Sequence, residues 1–260
     1  MRTGQLRVTI VQEDLYWENI EANLAHLEEK IWSHEESSDL IVLPEMFTTG
    51  FSMNPASLAE PRNSKTFRWM KQQAEQHKAV VCGSYIINED AKYYNRFYAV
   101  YPNGQFLHYD KRHLFTLAGE SCYEAGIERK FFVVKGFNIM PNICYDLRFP
   151  VWSRQQLTHE YDLLLYVANW PAPRIAAWDT LLKARAIENL SYAAGVNRVG
   201  RDGAEKMYVG HSNAYDYLGQ PFLDLQEEAF INTVTFDLQK LDQFRADFPF
   251  HQEADQFEMP

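Results

Sequence analysis

The chain has 260 residues with a formal net charge of −10, and its hydrophobic share of 46% includes 17 Phe, 15 Tyr and 6 Trp. This length fits one large layered domain or two small ones, and the aromatic content argues against disorder. The acidic balance argues against a general nucleic-acid binder and against docking on an anionic membrane surface. The sequence also lacks the roughly 20-residue apolar stretch of a membrane helix and the pattern of a secretory signal.

In the first half of the chain, hydrophobic periodicity predicts strands that alternate with helices. Glu45 directly follows the second of these strands, and Lys111 lies just beyond the second arm of a hairpin. Residues 112–130 have the composition of a loop. The predicted elements are strands at 6–10, 39–43 and 79–87, helices at 20–31 and 66–77, and a hairpin formed by 93–101 and 105–109.

The second half of the chain repeats this alternation. Cys144 ends the second of two short strands, and Pro141 within that strand lacks a backbone donor, which can alter how the strand pairs. The order of elements predicts an α/β layered fold, and the simplest interpretation is one domain over residues 1–260. The predicted elements are strands at 131–134, 138–143, 162–168, 192–199, 208–217 and 230–236, helices at 152–158 and 178–190, and a short helix from 238.

The cysteine pattern points to free thiols. The three cysteines are Cys82, Cys122 and Cys144, and no pair of them has the C-x-x-C spacing of a zinc or redox site. An odd, small number of cysteines without a signal segment indicates reduced thiols, so we expect a cytoplasmic location. Since no metal pattern is visible, a lone reactive thiol becomes a candidate for chemistry.

Glu45, Lys111 and Cys144 each stand at the end of a predicted strand, where sites gather in open α/β sheets. If they converge, Glu45 can accept the thiol proton, and Lys111 can lower the cysteine pKa and stabilise an oxyanion. Each residue also has a structural interpretation. A cysteine there is usually a small buried hydrophobe, a glutamate a cap or ion-pair partner, and a lysine a solvated charge. The residues alone therefore predict only a plausible triad.

Three local sequences carry a specific resemblance. They are Leu-Pro-Glu-Met-Phe at 43–47, Tyr-Asp-Lys-Arg-His-Leu-Phe at 109–115 and Ile-Cys-Tyr-Asp-Leu-Arg-Phe-Pro at 143–150. In type and order they resemble the signatures of the nitrilase superfamily of carbon–nitrogen hydrolases. The segments at 168–171 and 183–189 are similar to those that follow the nucleophile in that family, so the resemblance covers nearly the whole chain.

The resemblance implies a four-layer α-β-β-α sandwich and a set of site residues. Cys144 would be the nucleophile, Glu45 the general base and Lys111 the cation that stabilises the oxyanion. Many members carry a second glutamate between the lysine and the cysteine, for which Glu120 is the best match and Glu124 the alternative. The family needs no metal or organic cofactor, and its members commonly form homodimers.

Within the family, the chain resembles the omega-amidase branch. The runs Thr-Thr-Gly-Phe at 48–51, Cys-Tyr-Asp-Leu-Arg-Phe-Pro at 144–150 and Ala-Asn-Trp-Pro at 168–171 carry this likeness. It implies a small-molecule amide as substrate, namely a short dicarboxylic monoamide such as 2-oxoglutaramate, 2-oxosuccinamate or succinamate. Alternatives are a nitrile, N-carbamoyl or aliphatic amide hydrolase with the same triad. A catalytically silent scaffold protein is less favoured because all three triad residues are present.

A substrate of this kind ends in a carboxylate, which arginine can bind with two parallel hydrogen bonds. Arg174 is the first candidate for this contact and Arg148 the second, although Arg148 is also expected to pair with a buried acid. Phe115, Tyr145 and Trp170 are candidates for the pocket walls, because ligand sites are largely apolar, but each could equally belong to the core.

Overall fold

The computed structural model describes residues 2–156, 160–255 and 257. Its strands are β1 (Gln5–Gln12), β2 (Leu40–Val42), β3 (Glu60–Pro61), β4 (Val80–Glu89), β5 (Lys92–Val100), β6 (Phe106–Asp110), β7 (Phe132–Val134), β8 (Phe137–Ile143), β9 (Leu163–Ala168), β10 (Tyr192–Asn197), β11 (Val199–Arg201), β12 (Met207–Val209), β13 (Asn213–Tyr215) and β14 (Phe230–Asp237). Its helices are α1 (Ile20–Ser33), α2 (Pro55–Leu58), α3 (Lys65–His77), α4 (Pro150–Ser153), α5 (Ile175–Glu188) and α6 (Leu238–Asp247).

Two sheets form the centre of the described structure. The first has the order β14-β1-β2-β4-β5-β6, with β3 beside β4, and the second has the order β13-β10-β9-β8-β7. Parallel pairs lie in the middle of both sheets, and antiparallel strands close their edges. Strands β11 and β12 form a separate hairpin.

The two sheets pack face to face, and helices cover their outer faces. On β1 the side chains of Leu6, Val8 and Ile10 belong to the core that contacts the second sheet, whereas Val11 packs on the side of α1 and α3. This split follows from the two-residue period of a strand. On the second sheet, α5 packs closely on β10. A Cβ atom at Gly195 would lie only 2.6 Å from side-chain atoms of Leu182 and Trp178 on this helix. The predicted four-layer α-β-β-α sandwich is therefore confirmed.

Helices α1 and α3 lie within two residues of their predicted bounds. The side chain of Asn19 accepts a hydrogen bond from the Ala22 N–H and so starts α1. Helix α3 ends at His77, and the next residue, Lys78, has a φ of 52° in the left-handed region. Strand β8 stays paired with β9 through Pro141, and β7 pairs with β8 only as far as Ile139. Near the proline β8 therefore has a partner strand on one side alone, where a missing donor is tolerated.

Several predicted elements differ from the structure. The helix predicted at 152–158 is wrong over the residues described, because α4 covers only Pro150–Ser153 and 154–156 are not helical, while 157–158 lie outside the described residues. The strand predicted at 208–217 is two short strands, because Gly210 and His211 both have positive φ and break it. Helix α5 begins at Ile175, three residues before the predicted start. Over the described ranges, no helix is long and apolar enough to cross a membrane.

Candidate active site

Polar side chains from both sheets meet where strands β2, β6, β8 and β9 end. Glu45 follows β2 and Lys111 follows β6, whereas Cys144 follows β8 and Asn169 follows β9. Strands that run in one direction bring their carboxyl ends to the same edge of a sheet. The structure thus brings together the three residues that the strand-end argument selected, and their catalytic roles stay predictions.

Lys111 lies in a fully buried cluster with two carboxylates. Its Nζ atom donates to Glu45 Oε1 at 2.8 Å and to both carboxylate oxygens of Glu120 at 2.8 Å. Asn95 Nδ2 donates to the same Glu45 oxygen at 2.8 Å. Burial lowers the pKa of Lys111, but the charges of Glu120 and Glu45 outweigh burial and raise it, so the ammonium group stays protonated. Burial also raises the pKa of Glu120, an effect that Lys111 opposes.

The second glutamate of the cluster is Glu120, not Glu124. The Glu124 side chain is half exposed and lies 3.8 Å from the Lys92 ammonium group. In contrast, Glu120 also accepts a hydrogen bond from the Phe115 N–H, which ties the loop after β6 to the buried charges. This is the glutamate that the family resemblance gave as the best match, and its catalytic role stays a prediction.

Cys144 is held in a strained backbone conformation. Its φ of 44° lies in the left-handed region, which is uncommon for a residue with a side chain and typical of functional sites. The side chain is 7% exposed, and its Sγ atom lies 3.9 Å from the carbonyl oxygen of Asn169. Burial raises the pKa of the thiol well above its usual range, Glu45 raises it further, and Lys111 opposes them only in part. The thiol is therefore protonated and needs a base before it can act as a nucleophile.

Asn169 connects Cys144 with Glu45. Its backbone N–H donates to Glu45 Oε2 at 2.8 Å, and its Nδ2 donates to the Glu45 carbonyl at 2.6 Å. Both carboxylate oxygens of Glu45 are therefore hydrogen-bonded, which fixes the direction of the side chain. The next residue, Trp170, is fixed in turn by Asn197, whose Oδ1 accepts from the Trp170 N–H at 2.7 Å.

Asp146 fixes the turn that carries the nucleophile. Its buried carboxylate accepts hydrogen bonds from the Ile143 N–H at 2.9 Å and from the Tyr109 hydroxyl at 2.7 Å. It also accepts from the backbone N–H of His113 at 3.0 Å and lies 2.8 Å from His113 Nδ1. One carboxylate thus joins the turn after β8 to the segment that follows β6, which sets Cys144 relative to Lys111.

A cavity of about 360 Å³ opens beside the thiol. Every residue predicted to bind substrate lies in its wall, and so do aromatic and basic residues that the sequence did not single out. The lining consists of Phe51, Phe115, Leu117, Ala118, Cys144, Tyr145, Arg148, Asn169, Trp170, Pro171, Arg174, Lys206 and Tyr208. This composition, largely apolar with a few cations, suits a small ligand that bears a negative charge.

The two arginines of the cavity rest on aromatic rings. The guanidinium carbon of Arg148 lies 4.7 Å from the centre of the Trp170 ring, and that of Arg174 lies 5.2 Å from the centre of the Phe115 ring. The expected pairing of Arg148 with a buried acid is wrong, because no carboxylate of the described residues forms an ion pair with either arginine. Their hydrogen-bond donors are thus available to a ligand.

Some polar residues of the site were not selected from the sequence, among them Asn169, Asn95 and Lys206. Asn169 directly follows an apolar strand, so the strand-end argument that selected Cys144 applies to it equally. Asn95 lies within β5 and Lys206 in a surface turn. The sequence around each of these two residues has no pattern that distinguishes it from an ordinary polar residue. Only tertiary contacts bring them to the site.

The chain is similar to known proteins over nearly its whole length. The sequence matches the Carbon-nitrogen hydrolase family over residues 7–246. Omega-amidase YafV from Yersinia enterocolitica is 45% identical over 97% of this chain and 98% of its own length. The 2-oxoglutaramate amidase of Bacillus subtilis is 33% identical over 93% of this chain and 95% of its own length. A CN-hydrolase superfamily protein from Xanthomonas campestris, with an arsenic adduct in its active site, is 39% identical, and its structure superimposes with a TM-score of 0.96, covering 99% of this chain and 100% of that one.

Proposed function

The chain belongs to the carbon-nitrogen hydrolase family and acts on amides, and on this basis we propose that its substrates are short dicarboxylic acid monoamides. These comprise 2-oxoglutaramate, 2-oxosuccinamate and succinamate, which would be hydrolysed to the dicarboxylate and ammonia. The observation that carries the proposal is a cavity in which cations that have no carboxylate partner among the described residues share the wall with Cys144. The names of the relatives, omega-amidase and 2-oxoglutaramate amidase, support the same substrate class.

In the first half of the proposed reaction, Cys144 attacks the amide carbonyl. Glu45 accepts the thiol proton as the sulfur–carbon bond forms, because the raised pKa keeps the resting thiol neutral. The buried ammonium group of Lys111 stabilises the negative charge that develops on the carbonyl oxygen. Glu45 then returns the proton to the amide nitrogen, the carbon–nitrogen bond breaks, and ammonia leaves a thioester on Cys144.

In the second half, water cleaves the thioester. Glu45 accepts a proton from the water as its oxygen attacks the thioester carbonyl, and Lys111 again stabilises the oxyanion. The carbon–sulfur bond breaks, the thiolate recovers its proton from Glu45, and the acid product leaves and releases its remaining proton to solvent, which gives the dicarboxylate. The Glu45 carboxylate therefore acts as the base in both halves of the cycle. Hydrogen bonds from Asn95 and Asn169 keep it in one orientation throughout.

Glu120 acts in this proposal as a positioning residue. It binds the Lys111 ammonium group through both carboxylate oxygens, and its charge helps to keep the lysine protonated. The distal carboxylate of the substrate would contact Arg174, with Arg148 as the second candidate. The rings of Phe115, Tyr145 and Trp170 would contact the carbon chain between the amide and this carboxylate.

The test is ammonia release from a substrate panel: 2-oxoglutaramate, succinamate, glutamine, an aliphatic nitrile and an N-carbamoyl amine. We expect turnover of the first two and little of the others. Turnover of the nitrile or the carbamoyl compound alone would overturn the substrate class and leave the triad in place. A protein that turns over no member of the panel would favour the scaffold interpretation.

A further inference from the structure

The hairpin of β11 and β12 brings one more cation to the cavity. Lys206 lies in the turn before β12, and its side chain lines the cavity together with Cys144. Its backbone is bonded within the hairpin, but no carboxylate of the described residues forms an ion pair with its ammonium group. A lysine on a surface turn is ordinarily a solvated charge, so the conformation of this turn decides whether Lys206 has a function.

A buried carboxylate orders the turn. Asp202 is 6% exposed, and its Oδ1 accepts from the backbone N–H groups of Ala204 at 2.9 Å and Lys206 at 3.0 Å. Its Oδ2 accepts from the hydroxyl of Tyr208 at 2.9 Å, and Tyr208 also lines the cavity. Asp202 is thus occupied by neutral donors. It fixes the backbone of Lys206 without neutralising the ammonium charge.

The turn is also packed against the body of the protein. A Cβ atom on Gly203 would lie 2.3 Å from Trp17 Nε1, so the indole ring rests directly on the turn. From below, the buried Arg198 guanidinium carbon lies 5.0 Å from the centre of the Tyr208 ring. Contacts on both sides of the hairpin therefore hold the backbone of Lys206 beside the cavity, while the side chain itself is exposed.

We propose that Lys206 determines specificity by binding the carboxylate of the substrate, and that Asp202 positions it. The inference rests on the proposed function and deepens it, because it names a residue that separates a charged amide from an uncharged one. Arg148 and Arg174 line the same cavity and can share this carboxylate, while the ammonium group of Lys206 has no aromatic ring contact among the described residues. A substrate carboxylate that enters the cavity pairs with the Lys206 ammonium group. The carboxylate loses water on binding, and the lower local dielectric strengthens the attraction between the two charges.

The experiment compares two amides of similar shape, succinamate and butyramide, which differ in the distal carboxylate. For Lys206→Met we expect kcat/KM for succinamate to fall by about 10- to 100-fold, mainly through KM, as for the loss of a charge-assisted hydrogen bond. For butyramide we expect a change of less than about twofold. Lys206→Arg is expected to keep most of the preference for succinamate, because the positive charge remains.

The matched control is Arg201→Met, which removes a positive charge from the same hairpin. Arg201 is exposed, pairs with Glu205 at 3.9 Å and does not line the cavity, so both substrates should be turned over as by the wild type. Asp202→Asn should weaken the preference for succinamate as well, and combining it with Lys206→Met should add little, since both act on one contact.

The outcomes separate the two proposals. A wild type that does not prefer succinamate over butyramide would overturn the proposed substrate class and the role of Lys206 with it. A wild type that prefers succinamate, with a Lys206→Met variant that keeps the same preference, would overturn the role of Lys206 alone. Equal losses on both substrates would make Lys206 a structural residue and would likewise overturn the proposal.

Discussion

Replacing Asp146 with alanine removes the acceptor that holds the nucleophile turn. The carboxylate binds the Ile143 N–H at 2.9 Å, the Tyr109 hydroxyl at 2.7 Å, the His113 N–H at 3.0 Å and His113 Nδ1 at 2.8 Å. No water can replace the carboxylate at the first two donors without entering the core, because Ile143 and Tyr109 are almost fully buried. The variant should therefore be less stable and should hold Cys144 less firmly.

The size of the effect follows from the donors left unpaired. A buried donor without a partner costs about 1–3 kcal/mol, so the two buried donors together predict a loss of about 4 kcal/mol in the free energy of unfolding for Asp146→Ala. Asp146→Asn keeps one acceptor oxygen and the side-chain volume. With that oxygen at the position that accepts from both the Ile143 N–H and the Tyr109 hydroxyl, the new amide group faces the His113 N–H, which loses its acceptor, so we expect a loss of about 2 kcal/mol.

Urea unfolding at one protein concentration measures both changes. The matched control is Asp224→Ala on the exposed surface, which should lie within about 0.5 kcal/mol of the wild type. The rate of ammonia release should fall in the same order as the stability, so Asp146→Ala should be slower than Asp146→Asn and both should be slower than the wild type. An Asp146→Ala variant as stable as the wild type, or equal losses for alanine and asparagine, would refute this hydrogen-bond argument.

Two further predictions concern the base and the outer helix layer. Glu45→Gln should reduce hydrolysis by at least about 10²-fold because the base is lost, yet it should lower the pKa of Cys144, since the Glu45 charge raises that pKa. The pH profile of Cys144 alkylation by iodoacetamide checks this, and an unshifted profile would contradict it. Gly195→Ala should reduce the free energy of unfolding by about 1–3 kcal/mol. Its new Cβ would lie 2.6 Å from atoms of Leu182 and Trp178, so an unchanged urea midpoint would argue against the tight packing of α5 on β10.

Much of the fold could be predicted because its elements have strong periodicity. Helix α1 places Leu24, Leu27 and Ile31 on one buried face, and the strands with alternating or apolar runs were located to within a few residues. Pairing between distant segments could not be predicted. Strand β14 lies beside β1, with Gln5 opposite Asp237, and no local pattern connects these two ends of the chain.

The errors have local physical causes. The alternation of apolar and polar residues at 208–217 resembles one strand. The positive φ of His211, which interrupts it, cannot be predicted from the type of side chain. The helix predicted at 152–158 relied on weak periodicity, and over the described residues its helical part ends at Ser153. Tertiary packing decides such short segments, so propensity alone is a poor guide there.

The candidate site divides in the same way. Glu45, Lys111 and Cys144 could be selected because each ends a strand and stands in a recognisable motif. Asn95 and Lys206 could not, since one lies within a strand and the other in a surface turn, and only the assembled fold brings them to the cavity wall or the buried cluster. The charged and polar contacts between segments distant in sequence could therefore be identified only from the structure.

The most direct test of the central claim is the rate of ammonia release from succinamate by Cys144→Ala beside the wild type. If the thiol forms the thioester, the variant should lose at least about 10³-fold in kcat/KM, while its urea midpoint stays close to that of the wild type. A folded Cys144→Ala protein that releases ammonia within about tenfold of the wild-type rate would contradict the account.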